Sequence, residues 1–143
     1  MSGDDQAHRT AVQHGPHLGP AGEPGPFTPR QLARIDEALT LSSQESGLTF
    51  SVYVGSLATP TRQGAESLFT QLSGEVPNLV LVAVSPGQRA LHIVTGPDSG
   101  QRVPNRSCAL AAVAMRSSFV NGDLAGGIVT GLRMLADAAG RLP

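Results

Sequence analysis

The sequence is poor in aromatic residues and lacks lysine. Its 143 residues include four Phe, one Tyr and no Trp, all of its basic side chains other than histidine are arginines, and the formal net charge is −1 at pH 7. Proteins that bind single-stranded nucleic acid combine aromatic stacking platforms with a positively charged groove. Binding to a phosphate backbone likewise requires a basic surface. We therefore expect this chain to have no nucleic acid partner.

Cysteine and long apolar runs are also scarce. Cys108 is the single cysteine, which excludes an internal disulfide and a multi-cysteine metal site. The longest strongly apolar run, LVLVAV at residues 79–84, is much shorter than the ~20 residues that span a bilayer. The first residues contain no apolar segment typical of a signal peptide. These features predict a soluble, cytoplasmic protein without membrane insertion.

Glycine and proline are concentrated near the amino terminus. The segment GPHLGPAGEPGP, residues 15–26, is two-thirds Gly plus Pro, and such a composition cannot bury enough apolar surface to order itself. We predict a disordered tail over residues 1–26 and a single domain over residues 27–143. The tail holds His8, His14 and His17. Because metal sites need ligands held in fixed geometry, these histidines indicate a polar tail more than a metal-binding patch.

The pattern after residue 27 predicts alternating helices and strands. Thr28, Pro29 and Gln31 are typical of a helix start with a capping box, and Gly47 is a plausible helix end. LTFSVYVG alternates as a half-buried strand does, and a helix ending at Gly74 follows it. NLVLVAVS is apolar throughout, as in a central strand. The turn SPGQ then leads to the strand RALHIVTG.

This order predicts an α/β fold. The strand–helix–strand crossover makes the first two strands parallel, and the hairpin adds an antiparallel strand to give a small mixed sheet. Two more helices, over about residues 105–119 and 123–139, would leave helices on both faces of the sheet.

The segment NGDLAGGIVTGL, residues 121–132, is rich in glycine. A P-loop requires a lysine, and a dinucleotide fingerprint requires a preceding strand; the sequence has neither here. Gly127 and Gly131 are four residues apart and share a helix face, which predicts close packing against another helix. Gly122 would then belong to a turn, and Asp123 would be the N-cap.

The richest polar cluster follows the central strand. Its members are Arg89, His92, Asp98, Ser99, Arg102, Asn105 and Arg106. Loops after strands often carry sites in open sheets, and arginines beside an aspartate could hold a phosphate or carboxylate. The alternative is a solvated loop with surface charges. Ser99, His92 and Asp98 are the residue types of a catalytic triad. The GxSxG motif that positions the nucleophile in one class of such enzymes is absent, and we assign no catalytic residue.

The order of elements resembles the TPM domain family. The resemblance rests first on the hairpin LVLVAVSPGQRALHIVTG. It rests also on Phe119 followed by the Gly122–Asp123 turn, and on Gly127 within NGDLAGGIVTGLRML. The likeness covers about residues 27–139. Within the family, the chain is similar to an actinobacterial branch of unknown function, DUF5130. The resemblance implies a mixed sheet between helices. Some TPM members are linked to acid phosphatase activity and calcium binding, and others act as accessory or assembly factors.

Two functional hypotheses follow. The first is a non-catalytic accessory module that binds a protein partner and needs no cofactor. The alternative is a domain that binds Ca²⁺ or Mg²⁺ and has weak phosphatase activity. The sequence departs from the family at the turn SPGQR, which lacks an acidic residue, and the loop after Gly96 contributes one carboxylate, Asp98. Ca²⁺ usually takes six to eight oxygen ligands, so the first hypothesis is favoured.

Overall fold

The computed structural model describes residues 12–14, 26–74 and 76–140. It has the predicted α/β architecture, with helices on both faces of a mixed sheet. The strands are β1 Val12–His14, β2 Thr49–Val54, β3 Leu79–Ser85 and β4 Ala90–Thr95. The α-helices are α1 Pro29–Ser46, α2 Thr61–Ser73, α3 Ser99–Arg102, α4 Asn105–Val120 and α5 Leu124–Ala139, and a short 3₁₀ turn, Pro86–Gln88, joins β3 to β4.

The sheet has the strand order β1–β2–β3–β4. The first three strands are parallel, with Thr49 beside Leu79 and Val54 beside Val84, and β4 runs antiparallel to β3. The parallel pair and the antiparallel hairpin strand are therefore confirmed. The carboxyl ends of the parallel strands meet at one end of the sheet, where Ser85 pairs with Ala90 across the β3–β4 turn.

The strand β1 lies within residues 1–26, the segment for which the sequence predicts a disordered tail. Val12–His14 pairs in parallel with the outer edge of β2, from Val52 to Val54. Edge pairing uses backbone groups, and three residues are too few for a recognisable side-chain alternation, so the sequence pattern gave no signal. Residues 1–11 and 15–25, with His8 and His17, and the side chain of His14, lie outside what the structure describes.

The two faces of the sheet bury separate apolar clusters. On one face, α1, α4 and α5 pack over strand residues such as Phe50, Val82 and Ile93. On the other face, α2 packs over Tyr53 and Leu81. Every residue of β3 is buried, as expected for a central strand covered on both sides. This sandwich fixes where the helix ends and loops lie around the sheet.

The helix ends follow local chemistry. Thr28 and Gln31 form the capping box, with nitrogen–oxygen distances of 3.1 and 2.9 Å. Gly47 ends α1 in the left-handed conformation with φ 77°, where glycine is favoured. None of the helices in the described residues is both long enough and apolar enough to cross a membrane.

The glycine-rich segment lies in the contact between α4 and α5. A Cβ on Gly127 would lie 2.6 Å from Cε1 of Phe119, and one on Gly131 would lie 2.6 Å from Cγ of Met115. Both glycines thus allow the two helices to approach closely. The carboxylate of Asp123 accepts a hydrogen bond from the Gly126 amide at 2.9 Å and caps α5, and Gly122 has φ +82° in the turn before it.

Candidate functional site

The polar residues that the sequence grouped together are divided between two ends of the sheet. Arg89 precedes β4, whereas Asp98, Ser99, Arg102 and Asn105 follow it. The strand between them has six residues, and a strand of this length covers about 20 Å. The cluster is therefore not one site.

Ser99 connects backbone groups at the end of the sheet where β4 finishes. Its side chain is fully buried. The hydroxyl Oγ donates to the carbonyl oxygen of Leu79 at 2.7 Å and accepts from the amide of Gly96 at 2.7 Å. Because the hydroxyl both donates to and accepts from backbone groups, it holds the loop to β3. It is not presented to a substrate.

Arg102 serves a similar structural purpose. Its guanidinium donates to the carbonyl oxygen of Ala139 from Nη2 at 2.9 Å and from Nε at 3.3 Å, and to that of Gly140 at 3.2 Å. These carbonyls lie at the carboxyl end of α5, where a positive charge is stabilising. Arg102 therefore ties the loop to the last helix. Asp98, Asn105 and Arg106 are exposed at the same end.

His92 lies midway along β4 on the face covered by α2. Its Nε2 is 2.8 Å from the hydroxyl oxygen of Thr61. Burial lowers the pKa of His92 below its usual value, and the positive charges of Arg62 and Arg116 lower the pKa further. These effects favour the neutral form of the imidazole. Since Ser99 bonds to backbone and His92 bonds to Thr61, these residues do not assemble the Ser–His–Asp arrangement.

The described residues contain neither a cluster of metal ligands nor an activated thiol. In the part of the chain that the structure describes, no group of three or more His, Cys, Asp or Glu side chains could hold a metal ion. Cys108 is half-buried in α4, and burial raises the pKa of its thiol. A raised pKa disfavours the nucleophilic thiolate, so this cysteine behaves as a packing residue.

A groove of about 600 Å³ opens at the other end of the sheet, where the parallel strands end. Its walls are the β3–β4 turn, the last turn of α4 and the first residue of α5. Its described lining residues are Val84, Ser85, Pro86, Arg89, Ala90, Leu91, Arg116, Phe119, Val120, Gly122 and Leu124. Open α/β sheets bind ligands outside the carboxyl ends of their strands. This groove is the candidate functional site.

The charged side chains that line the groove are both arginines. Of the described residues in its wall, Arg89 and Arg116 alone carry charge. Arg116 donates from Nη2 to the carbonyl oxygen of Leu91 at 3.4 Å, a long hydrogen bond. The described residues place no carboxylate within ion-pair distance of either guanidinium; the ion pair that they do contain joins Arg62 to Glu66. The groove thus has an apolar lining and two cations available to an anionic group.

The outward face of α4 extends this surface. Leu110, Val113 and Val120 are 57%, 65% and 86% exposed, and they share one face of the helix with Arg106 and Arg116. The sequence of α4, NRSCALAAVAMRSSFV, contains no acidic residue. We call this the α4 face. These apolar residues were not identified from the sequence as a surface, although their spacing of three and seven residues could have revealed it.

A second groove of about 310 Å³ lies between α1 and α5. Its lining includes Arg34, Glu37 and Glu45 from α1 with Arg133 and Asp137 from α5. Charged side chains of both signs line it, which is typical of a solvated protein surface. It presents neither a single sign of charge nor a large apolar lining, so it is the weaker candidate.

Comparisons with known proteins agree on the family and the fold. Residues 9–136 match the model of a domain of unknown function, DUF5130. Uncharacterized proteins from two strains of Mycobacterium tuberculosis are 34% identical over 114 residues, which cover 78% of this chain and 66% of each relative. The match thus spans slightly less than two thirds of the relatives' length.

Solved structures with low identity share the fold. The N-terminal domain of a P. gingivalis protein aligns over 93% of this chain and 83% of its own, with TM-score 0.73 and 16% identity. The BA42 protein of Bizionia argentinensis aligns over 84% of both chains, with TM-score 0.72 and 17% identity. The N-terminal domain of a Corynebacterium glutamicum protein gives TM-score 0.68 and 14% identity over 90% of this chain and 78% of its own. With the family match over most of its length, this chain belongs to the DUF5130 family.

Proposed function

We propose that this protein is a non-catalytic interaction module that acts in the cytoplasm and binds a protein partner through the α4 face. The observation that carries the proposal is the exposure of Leu110, Val113 and Val120. Of the four large apolar side chains exposed among the described residues, three lie on this helix. Contiguous exposed apolar surface is a mark of interaction sites.

The charges of the α4 face define the partner's chemistry. Arg106 and Arg116 flank the apolar residues, and acidic residues are absent from the helix sequence. A complementary partner therefore presents apolar side chains together with carboxylates, since complementary charges steer and align an encounter. Two features support a non-catalytic role: Ser99 is held by backbone groups, and His92 contacts Thr61. The single half-buried thiol of Cys108 fits a reducing compartment.

Site-specific photo-crosslinking tests this function. The photoreactive residue p-benzoylphenylalanine would replace Val113 in one variant and Thr130 in the control, and both chains would be expressed in a mycobacterial host. Thr130 is exposed on α5, away from the α4 face. We expect a protein to crosslink at position 113 and not at position 130. With purified components, Val113→Asp should weaken its binding about tenfold or more, as for a central interface residue, whereas Thr130→Asp should not.

Three results would contradict the proposal. One is equal crosslinking from positions 113 and 130. Another is crosslinking at 113 to a second copy of this chain alone, which would indicate a homo-oligomer interface. The third is turnover of a phosphoester by the purified protein that is lost on changing His92 or Asp98. That result would favour the alternative of a phosphatase, and a melting temperature that rises with Ca²⁺ or Mg²⁺ would favour ion binding.

A further inference from the structure

The groove at the carboxyl end of the parallel strands combines an apolar lining with two cationic side chains. Leu91, Phe119 and Leu124 give it an apolar wall, and Arg89 and Arg116 lie at its margin. Its volume of about 600 Å³ is in the range of sites that bury organic ligands or side chains. A simple inorganic anion would leave the apolar wall exposed to water. The occupant therefore has an apolar body and an anionic group.

Arg89 is held toward this groove by an unusual backbone. It is the one non-glycine residue with positive φ among the described residues, at φ 52° and ψ 42°. Glycine adopts this left-handed region readily, whereas residues with a Cβ are disfavoured in it. Such local strain is concentrated at functional sites. A glycine would form the same turn with less strain, so the turn itself gives no reason for arginine at this position.

Two hydrogen bonds hold the turn that precedes Arg89 to a neighbouring loop. The side-chain amide of Gln88 donates to the carbonyl oxygen of Leu57 at 2.9 Å and accepts from the amide of Leu57 at 2.8 Å. This pair of bonds fixes the 3₁₀ turn against the loop after β2. The backbone that carries Arg89 is therefore held in place, and the exposed side chain extends from it at the groove margin.

We propose that this groove binds a short segment of a partner protein in which a large apolar side chain lies next to a carboxylate. The apolar side chain enters between Leu91, Phe119 and Leu124, and the carboxylate accepts hydrogen bonds from Arg89 and Arg116. Bidentate pairing of arginine with carboxylate gives both strength and orientation. This inference rests on the proposed function, because it names the segment that a protein partner presents.

The α4 face and the groove then act on the same partner. Val120 belongs to both, and Arg116 is shared between the groove margin and the outward side of the helix. A partner that covers Leu110 and Val113 can extend its chain past Val120 into the groove. The charge of the groove selects an acidic segment, since a basic segment would place its charges against two arginines that have no carboxylate partner among the described residues.

Peptide display followed by NMR tests the inference. Random twelve-residue peptides displayed on phage would be selected against the full chain. We expect the bound peptides to share an apolar residue adjacent to Asp or Glu. When an enriched peptide is added to ¹⁵N-labelled protein, amide shifts should concentrate at residues 84–91 and 116–124. The dissociation constant should rise about tenfold or more in Arg89→Gln, since hydrogen bonds to charged groups contribute at least this factor.

Arg30→Gln provides the matched control. Arg30 is exposed on α1 and lies outside both the groove lining and the α4 face, so its variant should bind the peptide within about twofold of the wild type. Arg89 is exposed, and its side chain makes no hydrogen bond or ion pair within the described part of the chain, so Arg89→Gln should leave the fold intact. Arg116→Gln should weaken binding as well.

The outcomes separate this inference from the proposed function. Enriched peptides without acidic residues, equal binding by Arg89→Gln and wild type, or an absence of enriched peptides would each overturn the inference. If the partner crosslinked at position 113 nevertheless loses affinity in Val113→Asp and keeps it in Arg89→Gln, the proposed function stands and the groove is not its binding site. If that partner loses affinity in both variants, both proposals are supported.

Discussion

The two ends of the sheet use arginine in opposite ways. Where β4 finishes, Arg102 donates three hydrogen bonds to the last carbonyls of α5. Where β3 finishes, Arg89 extends from a strained turn, and Arg116 makes one long bond to the backbone. The first arginine completes the fold, whereas the other two leave positive charge at the margin of an apolar groove. Polar side chains indicate a binding site when some of their hydrogen-bond donors have no partner within the fold.

The same contrast applies to the hydroxyl and amide groups near each end. Ser99 is buried and joins Gly96 to Leu79, so the loop around it is part of the core. Ser85 and Gln88 brace the turn at the groove, but Arg89 beyond them is free to meet a ligand. Substitutions at the closed end should therefore change stability, and substitutions at the open end should change binding.

The largest expected effect comes from the helix pair that supports both ends. Gly131→Leu would place a side chain against Met115, which is fully buried. Overpacking of this kind destabilises proteins by about 3 kcal/mol when the neighbour cannot move. Thr130→Leu, one residue earlier and exposed, should change the free energy of unfolding by less than about 0.5 kcal/mol. Urea denaturation measures both; equal stability of the two variants would show that α4 and α5 do not pack closely here.

Next in size is Ser99→Ala at the closed end. Removing the hydroxyl leaves the Gly96 amide and one acceptor position of the Leu79 carbonyl without this partner. A buried polar group that loses its hydrogen bond costs ~1–3 kcal/mol, so we expect about 2 kcal/mol less stability. Peptide binding should be retained. Ser117→Ala, on the exposed side of α4, is the control, and a loss of stability no larger than in this control would refute the structural role of Ser99.

A smaller effect of opposite sign is expected at the open end. Arg89→Gly relieves the left-handed backbone strain, and we expect it to stabilise the fold by up to about 1 kcal/mol, less the entropy that glycine adds to the unfolded chain. The same change should weaken binding of the acidic peptide. Thermal unfolding and anisotropy titration report the two properties separately. Stability and binding that fall together would mean that Arg89 supports the fold.

The smallest expected effect concerns the pH dependence of stability through His92. Its pKa is lowered in the fold by burial and by Arg62 and Arg116, while Glu66 acts in the opposite direction. The unfolded chain therefore binds more protons at mildly acidic pH, and stability falls as pH drops from the ordinary pKa of histidine to the lowered one. The contribution is fully present above that ordinary value.

Replacement of His92 by glutamine should flatten this decline. Glutamine can still bond to Thr61 but does not titrate. Urea unfolding at several pH values between about 5 and 7.5 compares the two chains, a range in which most carboxylates stay ionised. Parallel curves for wild type and His92→Gln would mean that the pKa of His92 is not lowered in the fold. NMR titration of Arg116→Gln provides a direct comparison, because the pKa of His92 should rise when one positive charge is removed.

Much of the fold could be predicted because the signals were local. Thr28 with Gln31 identified the start of α1. The alternation in LTFSVYVG predicted the strand β2, but the prediction that one face is open was wrong, because α2 covers that face and Ser51 and Tyr53 are buried. The apolar run of β3 predicted a strand buried on both sides. By contrast β1 has three residues and is held by backbone pairing to an edge, so its side chains gave no pattern to recognise.

The candidate site could not be predicted for a different reason. The groove is formed by the turn at Arg89, the end of α4 and the start of α5, which come together only in the folded chain. The polar loop over residues 96–106 looked richer in the sequence, yet the bonds of Ser99 and Arg102 to backbone carbonyls cannot be seen there. Residue type indicated possible chemistry, and the hydrogen bonds decided which side chains were available.

The most direct test of this account maps binding onto the two ends of the sheet in one experiment. Full-length ¹⁵N-labelled protein would be titrated with the selected acidic peptide and, separately, with Ca²⁺ and inorganic phosphate. The account predicts peptide-induced amide shifts at residues 84–91 and 116–124, and no saturable shifts at residues 96–106 with any of the three. Saturable shifts confined to residues 96–106 with Ca²⁺ or phosphate would contradict it and would place the functional site at the end described here as structural.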